Sequence, residues 1–168
     1  MIEAPLMSIP QKLRSVAKRI AKDSLFGRRI PAAYRAAAQA PVDPPKDVFL
    51  ENKDDDLPDS FALVERCARE RYGLDTVFIS LHETSVPRTR YFENCVAAAR
   101  EIATARYVFL NDASQLASCL PLRPETKIAQ LWHACGAFKK WGMSTAGLAF
   151  GGTREELLRH PYYGNLSL

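Results

Sequence analysis

The stretch "TVFISLHETSVPRTRYFENCVAAAREIATARYVFLN" (residues 76–111) holds two short apolar runs with a longer segment between them. The runs TVFISL (76–81) and RYVFLN (106–111) are rich in β-branched and aromatic residues, which favour strands. The intervening segment 87–105 has helical character and begins with Pro87, a residue common in the first turn of helices. Uniformly apolar strands separated by a helix are typical of a parallel sheet that is covered on both faces.

The same alternation of strand and helix continues on both sides of this stretch. DVFLEN (47–52) and KIAQLW (127–132) are predicted strands, and residues 60–73 are a predicted helix. Residues 153–160 are predicted to form another helix, because Thr153 is followed three residues later by Glu156, as in a capping box. The sequence therefore predicts an α/β fold, with a Rossmann-like parallel sheet of at least four strands flanked by helices.

Length and composition exclude several classes of protein. The 168 residues suffice for one domain with its own core, and no apolar run of about 18 residues predicts a spanning helix. An apolar signal segment is also lacking at the amino terminus, so we expect the chain to stay in the cytoplasm. There is no glycine-rich nucleotide fingerprint, and the four cysteines form no CxxC pair, so no metal or other cofactor is expected.

Basic residues are concentrated at the amino-terminal end. Residues 1–40 hold eight lysines and arginines against two acidic residues, whereas the rest of the chain holds fifteen against seventeen. Within residues 11–27, apolar side chains recur at helical spacing opposite the basic ones. Gly27 and then Pro31 are expected to end this helix. The positive charge is thus a property of an amphipathic amino-terminal segment and not of the globular part.

This basic amphipathic segment (1–40) precedes a proline-rich linker at 41–47, which we expect to open an α/β domain spanning 41–168. One interpretation is that the helix lies on an anionic membrane surface, where each basic group adds about 1 kcal/mol. The alternative is a helix packed on the domain with its lysines solvated. Nucleic acid is not expected as a partner, because no aromatic residues are interleaved to stack bases.

Polar side chains follow the predicted strands at their carboxyl ends, where ligands collect in open parallel sheets. His133 follows the fourth strand, Asn111 the third and His82 the second. Because an imidazole titrates near neutral pH, His133 is the candidate general base. The alternative is a hydrogen-bonded structural role, which is common for a histidine beside tryptophan at a strand end, and His82 fits a loop role.

The residues after His133 favour an anionic ligand. Gly136 allows the backbone to approach a ligand closely, and Lys139 and Lys140 supply positive charge. A proton acceptor beside a phosphate-attracting cluster points to phosphoryl-type transfer, in which positioning and charge stabilisation dominate. Alternatively, the two lysines are simply solvated at the protein surface and bind no ligand.

Three segments resemble the CDP-glycerol glycerophosphotransferase family of teichoic-acid primases and polymerases. They are QLWHACGAFKKWG (130–142), ARYVFLND (105–112) and GGTREELLRHPYYGNLS (151–167). The first resembles the family's Trp-His-Gly motif, which is followed by lysines and a glycine. It differs from the common form in that Ala134 follows the histidine, so that glycine comes only at Gly136.

The resemblance implies a GT-B architecture, in which two Rossmann-like domains enclose the active site. It implies that His133 deprotonates a hydroxyl of a lipid-linked acceptor, whose oxygen then attacks the β-phosphate of CDP-glycerol or a related CDP-polyol and releases CMP. It also implies that the enzyme acts at the inner face of the cell membrane, which agrees with the basic amphipathic helix. Charge alone suggests that Lys139 and Lys140 contact acceptor or donor phosphate. Gly136 and Asn111 are the other predicted substrate-binding residues at this edge.

The resemblance covers residues 45–168 and corresponds to the acceptor-side half of such an enzyme. In the family a second, carboxyl-terminal domain binds the donor and carries another essential histidine. We therefore expect this polypeptide to be inactive alone and to need a missing domain or a second chain. The alternative function is a non-catalytic module that binds a membrane surface or the acceptor.

Overall fold

We describe the fold from a computed structural model, which describes residues 11–131, 140, 142–148, 152–162, 164 and 165. In chain order the elements are α1 (Gln11–Ser24), a π-helical turn (Leu25–Arg29), α2 (Ile30–Ala37), β1 (Asp43–Glu51), α3 (Asp59–Tyr72), β2 (Asp75–Ser80), α4 (Arg88–Ile102), β3 (Ala105–Leu110), α5 (Gln115–Cys119), β4 (Lys127–Gln130), a 3-10 turn (Gly142–Thr145) and α6 (Arg154–Arg159). The four strands are all parallel and lie in the order β2-β1-β3-β4. The predicted fold class, a Rossmann-like α/β sheet flanked by helices, is confirmed.

Alternate residues of each strand pack against different helical layers, as the pleat of a sheet requires. Val48 and Leu50 of β1 lie in the main core, together with buried residues of α2, α4 and α5. Phe49 lies on the opposite face, where its ring meets Phe61 of α3 edge-on at 5.2 Å between centroids. It also stacks on Phe109 of the neighbouring strand at 4.8 Å. Both faces of the central strands are therefore covered.

The first helix does not end at Gly27 and Pro31 as the sequence predicts. The chain stays helical through the π-helical turn and continues as α2 to Ala37. Pro31 lies in the first turn of α2, where the missing backbone N–H costs little. The chain stays helical because Leu25 and Tyr34 are fully buried in the main core. Their packing stabilises the π-helical turn and α2.

Strand β1 begins at Asp43, inside the segment that the sequence predicts to be a linker. The backbone N–H of Asp43 donates to the carbonyl of Thr104 over 2.8 Å. Pairing with β3 then shifts register between Asp43 and Asp47. Pro44 and Pro45 lie within this irregular stretch, where a residue without an N–H does not interrupt a regular ladder. The segment with the two prolines is therefore the first part of β1 and not a linker between the helix and the strand.

Candidate active site at the carboxyl edge of the sheet

The segment with the predicted general base begins where β4 ends. Gln130 is the last residue of β4, so the chain leaves the sheet at its carboxyl edge and reaches position 133 three residues later. His133, Gly136 and Lys139 lie outside the described residues. Lys140 is exposed. The roles predicted for all four therefore remain predictions.

Asn111 is the one predicted site residue whose surroundings the structure describes in detail. It follows β3 directly and is buried. Its side-chain amide Nδ2 donates to Oε2 of Glu51 over 2.7 Å. Its Oδ1 accepts a short hydrogen bond from the hydroxyl of Ser60 in the first turn of α3. Asn111 is thus held between the end of β1 and the start of α3.

Glu51 organises the end of β1. It is 3% exposed, and its Oε1 accepts hydrogen bonds from the backbone N–H groups of Asn52 (2.9 Å) and Lys53 (3.0 Å). Buried carboxylates persist in proteins when their oxygens receive hydrogen bonds of this kind. Glu51 is not among the site residues predicted from the sequence, although a carboxylate near the end of the apolar run DVFLEN is a usable signal.

The turn after β3 is fixed by short-range hydrogen bonds. Asp112 Oδ1 accepts from the backbone N–H of Ala113 over 2.7 Å. The Ala113 carbonyl accepts from Nδ2 of Asn52 over 3.0 Å. A weaker ion pair joins Asp112 Oδ2 to Nζ of Lys53 at 3.7 Å. The ends of the two central strands are therefore tied to each other through side chains as well as through the sheet ladder.

A cavity of about 260 Å³ opens beside this network, and its walls come from the ends of β1 and β3 and the start of α3. Its carboxylates include Glu51, Asp59 and Asp112, against Lys53 as the basic group. Carboxylate oxygens accept hydrogen bonds from hydroxyl groups. Within the described ranges no group of three or more side chains is suited to hold a metal ion. The cavity fits a hydroxyl-bearing group better than a phosphate.

His82, the polar residue at the end of β2, has a defined partner. Its Nδ1 lies 2.7 Å from Oδ1 of Asp55 in the acidic loop after β1. Its backbone adopts φ of +54°, a left-handed conformation that few residues other than glycine adopt. The backbone N–H donates to the hydroxyl of Ser80 over 3.2 Å. The loop role expected for His82 fits this geometry, and its other ring nitrogen is not used by these contacts.

Gln130 is the last residue of β4 and lies three positions before His133. Both polar atoms of its amide are buried and have no hydrogen-bond partner among the described residues. Such a group costs free energy unless a partner reaches it. Among the described residues, the Gln130 amide at the end of β4 thus has no partner, and it lies close in sequence to the candidate base.

Residues 32–165 match the family model described as CDP-Glycerol:Poly(glycerophosphate) glycerophosphotransferase. This range includes every strand of the sheet and the whole Trp-His to Lys-Lys segment. The resemblance that the motif suggests is therefore confirmed by most of the chain and not by the motif alone.

Three curated proteins are similar to the chain. A teichoic acid ribitol-phosphate primase of Bacillus spizizenii is 31% identical over 156 residues, covering 91% of this chain and 39% of the primase. A teichoic acid poly(ribitol-phosphate) polymerase of the same organism is 28% identical over 78% of the chain and 21% of its own length. A ribitol-phosphate polymerase of Staphylococcus aureus is 26% identical over 69% and 23%. The chain therefore spans about two fifths of the primase and less than a quarter of the polymerases.

Proposed function

The chain belongs to the CDP-glycerol:poly(glycerophosphate) glycerophosphotransferase family, and we propose that it forms the acceptor-side half of a polyol-phosphate transferase. Its substrates would be a CDP-activated polyol and a hydroxyl of a lipid-linked acceptor, in the synthesis of teichoic acid or a related cell-surface polymer. The three relatives all carry ribitol phosphate in their names, which favours ribitol over glycerol as the polyol.

The proposed reaction moves one polyol-phosphate group from the donor to the acceptor. His133 takes the proton of the acceptor hydroxyl, the oxygen forms a bond to the β-phosphorus of the donor, and the bond from that phosphorus to CMP breaks. A phosphodiester and CMP are the products. Lys139 and Lys140 are proposed to stabilise the negative charge on the phosphate oxygens.

One observation carries this proposal. The chain enters the His133 segment from the carboxyl end of β4, at the same edge of the sheet where Asn111 and Glu51 meet at the ends of the neighbouring strands. Ligands of open parallel sheets bind outside this edge. The carboxylates of the adjoining cavity offer hydrogen-bond acceptors for the hydroxyls of a polyol.

The test is a chimera in which this chain replaces the matching 39% of the Bacillus spizizenii primase. With CDP-ribitol and a lipid-linked acceptor, we expect the chimera to release CMP and the isolated chain to release none. His133→Ala should slow the chimera about 10²–10⁴-fold, the range of general-base catalysis. His82→Ala is the control and should retain most of the rate.

Two outcomes would contradict parts of the proposal. Equal rates for the chimera and its His133→Ala variant would exclude His133 as the base. CMP release by the isolated chain that depends on His133 would show that the chain is more than an acceptor-side half.

A second candidate function, a membrane-surface module, is favoured by the outer face of α1. Leu13, Val16 and Ile20 recur at helical spacing there and are 60%, 42% and 61% exposed. Lys18 and Arg19 of the same helix are also exposed. No helix in the described ranges is long and apolar enough to cross a membrane. We propose that α1 lies flat on the anionic inner face of the cell membrane, whether or not the chain is catalytic.

Co-sedimentation with vesicles tests this attachment. The chain should sediment with vesicles containing phosphatidylglycerol and much less with pure phosphatidylcholine. The double variant Leu13→Gln, Ile20→Gln should lose most of the binding. Leu63→Gln is a matched control, since Leu63 is 65% exposed on α3. Equal binding by the double variant and the control would exclude the α1 face as the attachment site.

A further inference from the structure

Strand β2 lies at one end of the sheet, and among the described residues its neighbour in the sheet is β1. The pairing covers the whole strand, from Asp75 opposite Lys46 to Ser80 opposite Glu51. An edge strand exposes a row of backbone N–H and C=O groups on its other side. This row is able to pair with a further strand.

β2 lacks the features that usually keep an exposed edge from pairing. Its sequence, DTVFIS, holds no proline, glycine or lysine, and its charged residue, Asp75, comes first. The pairing with β1 also runs without a bulge. The opposite edge, β4, has four residues and begins with Lys127. Short strands and lysines discourage pairing at edges, so β2 is the edge better suited to bind another strand.

The hydrogen bonds at the end of β2 indicate which of its backbone groups point outward. The backbone N–H of Leu81, the residue after β2, donates to the Glu51 carbonyl over 2.9 Å. Successive residues of a strand direct these groups to opposite sides, so every second residue before Leu81 also faces β1. The residues that face outward are Thr76, Phe78 and Ser80. Within the described ranges, no backbone hydrogen bond to a turn or loop involves these three.

We propose that β2 pairs with β2 of a second copy of this chain, antiparallel and about a two-fold axis at Phe78. The two Phe78 residues then exchange both of their backbone hydrogen bonds, and Thr76 of each copy pairs with Ser80 of the other. Two four-stranded sheets thereby join into one continuous sheet, in a closed dimer whose copies use the same surface. This inference concerns assembly and does not rest on the proposed transfer reaction.

The apolar side chains of β2 suit this partner. Val77, Phe78 and Ile79 are only half-buried, so part of each side chain is open to water. In the proposed register Val77 of one copy lies opposite Ile79 of the other, and the two Phe78 side chains meet on the other face of the sheet. Cross-strand pairs of β-branched and aromatic residues stabilise antiparallel strands.

The exposed charges around β2 favour the antiparallel arrangement. The loops at its carboxyl end, which His82 and Asp55 join through a contact of 2.7 Å, expose four acidic residues and one lysine, namely Asp54, Asp55, Asp56, Glu83 and Lys53. The second half of α3 and the start of β2 expose three arginines and two acidic residues, namely Arg66, Arg69, Arg71, Glu70 and Asp75. Antiparallel pairing places the acidic end of each copy beside the more basic end of the other, whereas parallel pairing would bring two acidic ends together.

The dimer agrees with the attachment proposed for α1. The two-fold axis of an antiparallel strand pair is perpendicular to the sheet, so both copies present the same face on the same side. α1 lies on the face covered by α4, because Lys18 and Lys22 of α1 and Tyr91 of α4 line one cavity. Two α1 helices on one side of a dimer attach to a single membrane more tightly than one helix does.

The molar mass in solution tests the proposal. Light scattering during size-exclusion chromatography should give twice 18.8 kDa at micromolar concentrations of the chain. Thr76→Pro removes an outward N–H, a loss that an edge strand tolerates, and should raise the dissociation constant of the dimer about tenfold or more. Thr76→Val also loses the hydroxyl that bonds Glu65 but keeps the N–H, so it is the matched control and should dimerise like the wild type. A monomeric wild type, or equal dissociation constants for the two variants, would overturn the proposal.

Cysteine cross-linking tests the register and does not depend on the folding of Thr76→Pro. The two Phe78 Cα atoms should lie about 5.5 Å apart, a distance that a disulfide spans. Phe78→Cys should therefore give a disulfide-linked dimer with oxidised glutathione, above the background of the wild type. Asp75→Cys is the control, because its two copies would lie about 20 Å apart along the antiparallel strands. Linking of Asp75→Cys, or no linking of Phe78→Cys, would overturn the proposed pairing.

Discussion

Glu51 and Asn111 lie 60 residues apart in the chain, and Oε2 of Glu51 accepts a hydrogen bond of 2.7 Å from Nδ2 of Asn111. The contact joins the carboxyl ends of β1 and β3, the two central strands, and both side chains are buried. The other oxygen of Glu51 receives two backbone N–H groups of the following turn. One carboxylate thus fixes both the side chain of a candidate site residue and the path of the chain that leaves β1.

Glu51→Ala is expected to lower the free energy of unfolding by about 2–3 kcal/mol, because the backbone N–H groups of Asn52 and Lys53 lose their acceptor. Urea denaturation followed by circular dichroism measures this change. Glu70→Ala removes an exposed carboxylate of α3 and should change stability by less than about 0.5 kcal/mol. Similar stabilities for the two variants would show that water replaces Glu51 without cost.

Asp47 in β1 is expected to make the stability of the protein depend on pH. Its carboxylate is 1% exposed, and neither oxygen has a hydrogen-bond partner among the described residues. Burial raises the pKa of Asp47 from 3.8 to about 6, and the charge of Arg106 opposes the shift. Between these values the folded state holds a proton that the unfolded state has released, so stability falls as pH rises from about 4 to 6.

Asp47→Asn removes this ionisation and should stabilise the protein at pH 7 by about 1–3 kcal/mol. The gain should disappear below about pH 4, where the wild-type carboxyl is protonated in both states. Thermal melting at several pH values measures it. Asp75→Asn changes an exposed carboxylate on the adjacent strand and is the control. A gain that is the same at pH 4 and pH 7 would assign the effect to packing and not to charge.

The strands of the sheet could be predicted from the sequence because their signal is local. The predicted strand 106–111 is observed as Ala105–Leu110, and 76–81 as Asp75–Ser80. The capping box at Thr153 is also present, since its hydroxyl accepts from the backbone N–H of Glu156 and the Glu156 carboxylate accepts from the backbone N–H of Thr153. Apolar runs and capping residues act on their near neighbours, so a single sequence reveals them.

Contacts between distant residues could not be predicted in the same way. The helix that was expected to end at Gly27 continues because Tyr34 enters a core formed by strands further along the chain. Asp23 and His160 are 137 residues apart, and nothing in either local sequence indicates their pairing. Glu51 was missed because its partner, Asn111, is visible only once β1 and β3 are placed side by side.

Gly73→Ala is expected to destabilise the protein by about 1 kcal/mol. Gly73 ends α3 with φ of +62°, and its N–H donates to the Arg69 carbonyl over 3.1 Å. A side chain in this left-handed conformation is strained even though nothing lies within 4 Å of its Cβ. Gly27→Ala is the matched control and should be neutral or stabilising, because Gly27 lies in a helical turn. Chemical denaturation of both variants should give opposite or clearly different shifts.

Asp23→Ala is expected to loosen the segment 152–162, because the Asp23 carboxylate contacts His160 at 2.6 Å and Arg159 at 3.7 Å. Trypsin should cleave faster after Arg159 in this variant, while Asp75→Ala should be cleaved at the wild-type rate. The hydrogen bond from His160 lowers the pKa of Asp23. The contact therefore stabilises the fold at neutral pH and is lost as pH falls through the lowered value. Equal cleavage of wild type and Asp23→Ala at pH 7 would show that packing alone holds the segment 152–162 against α1.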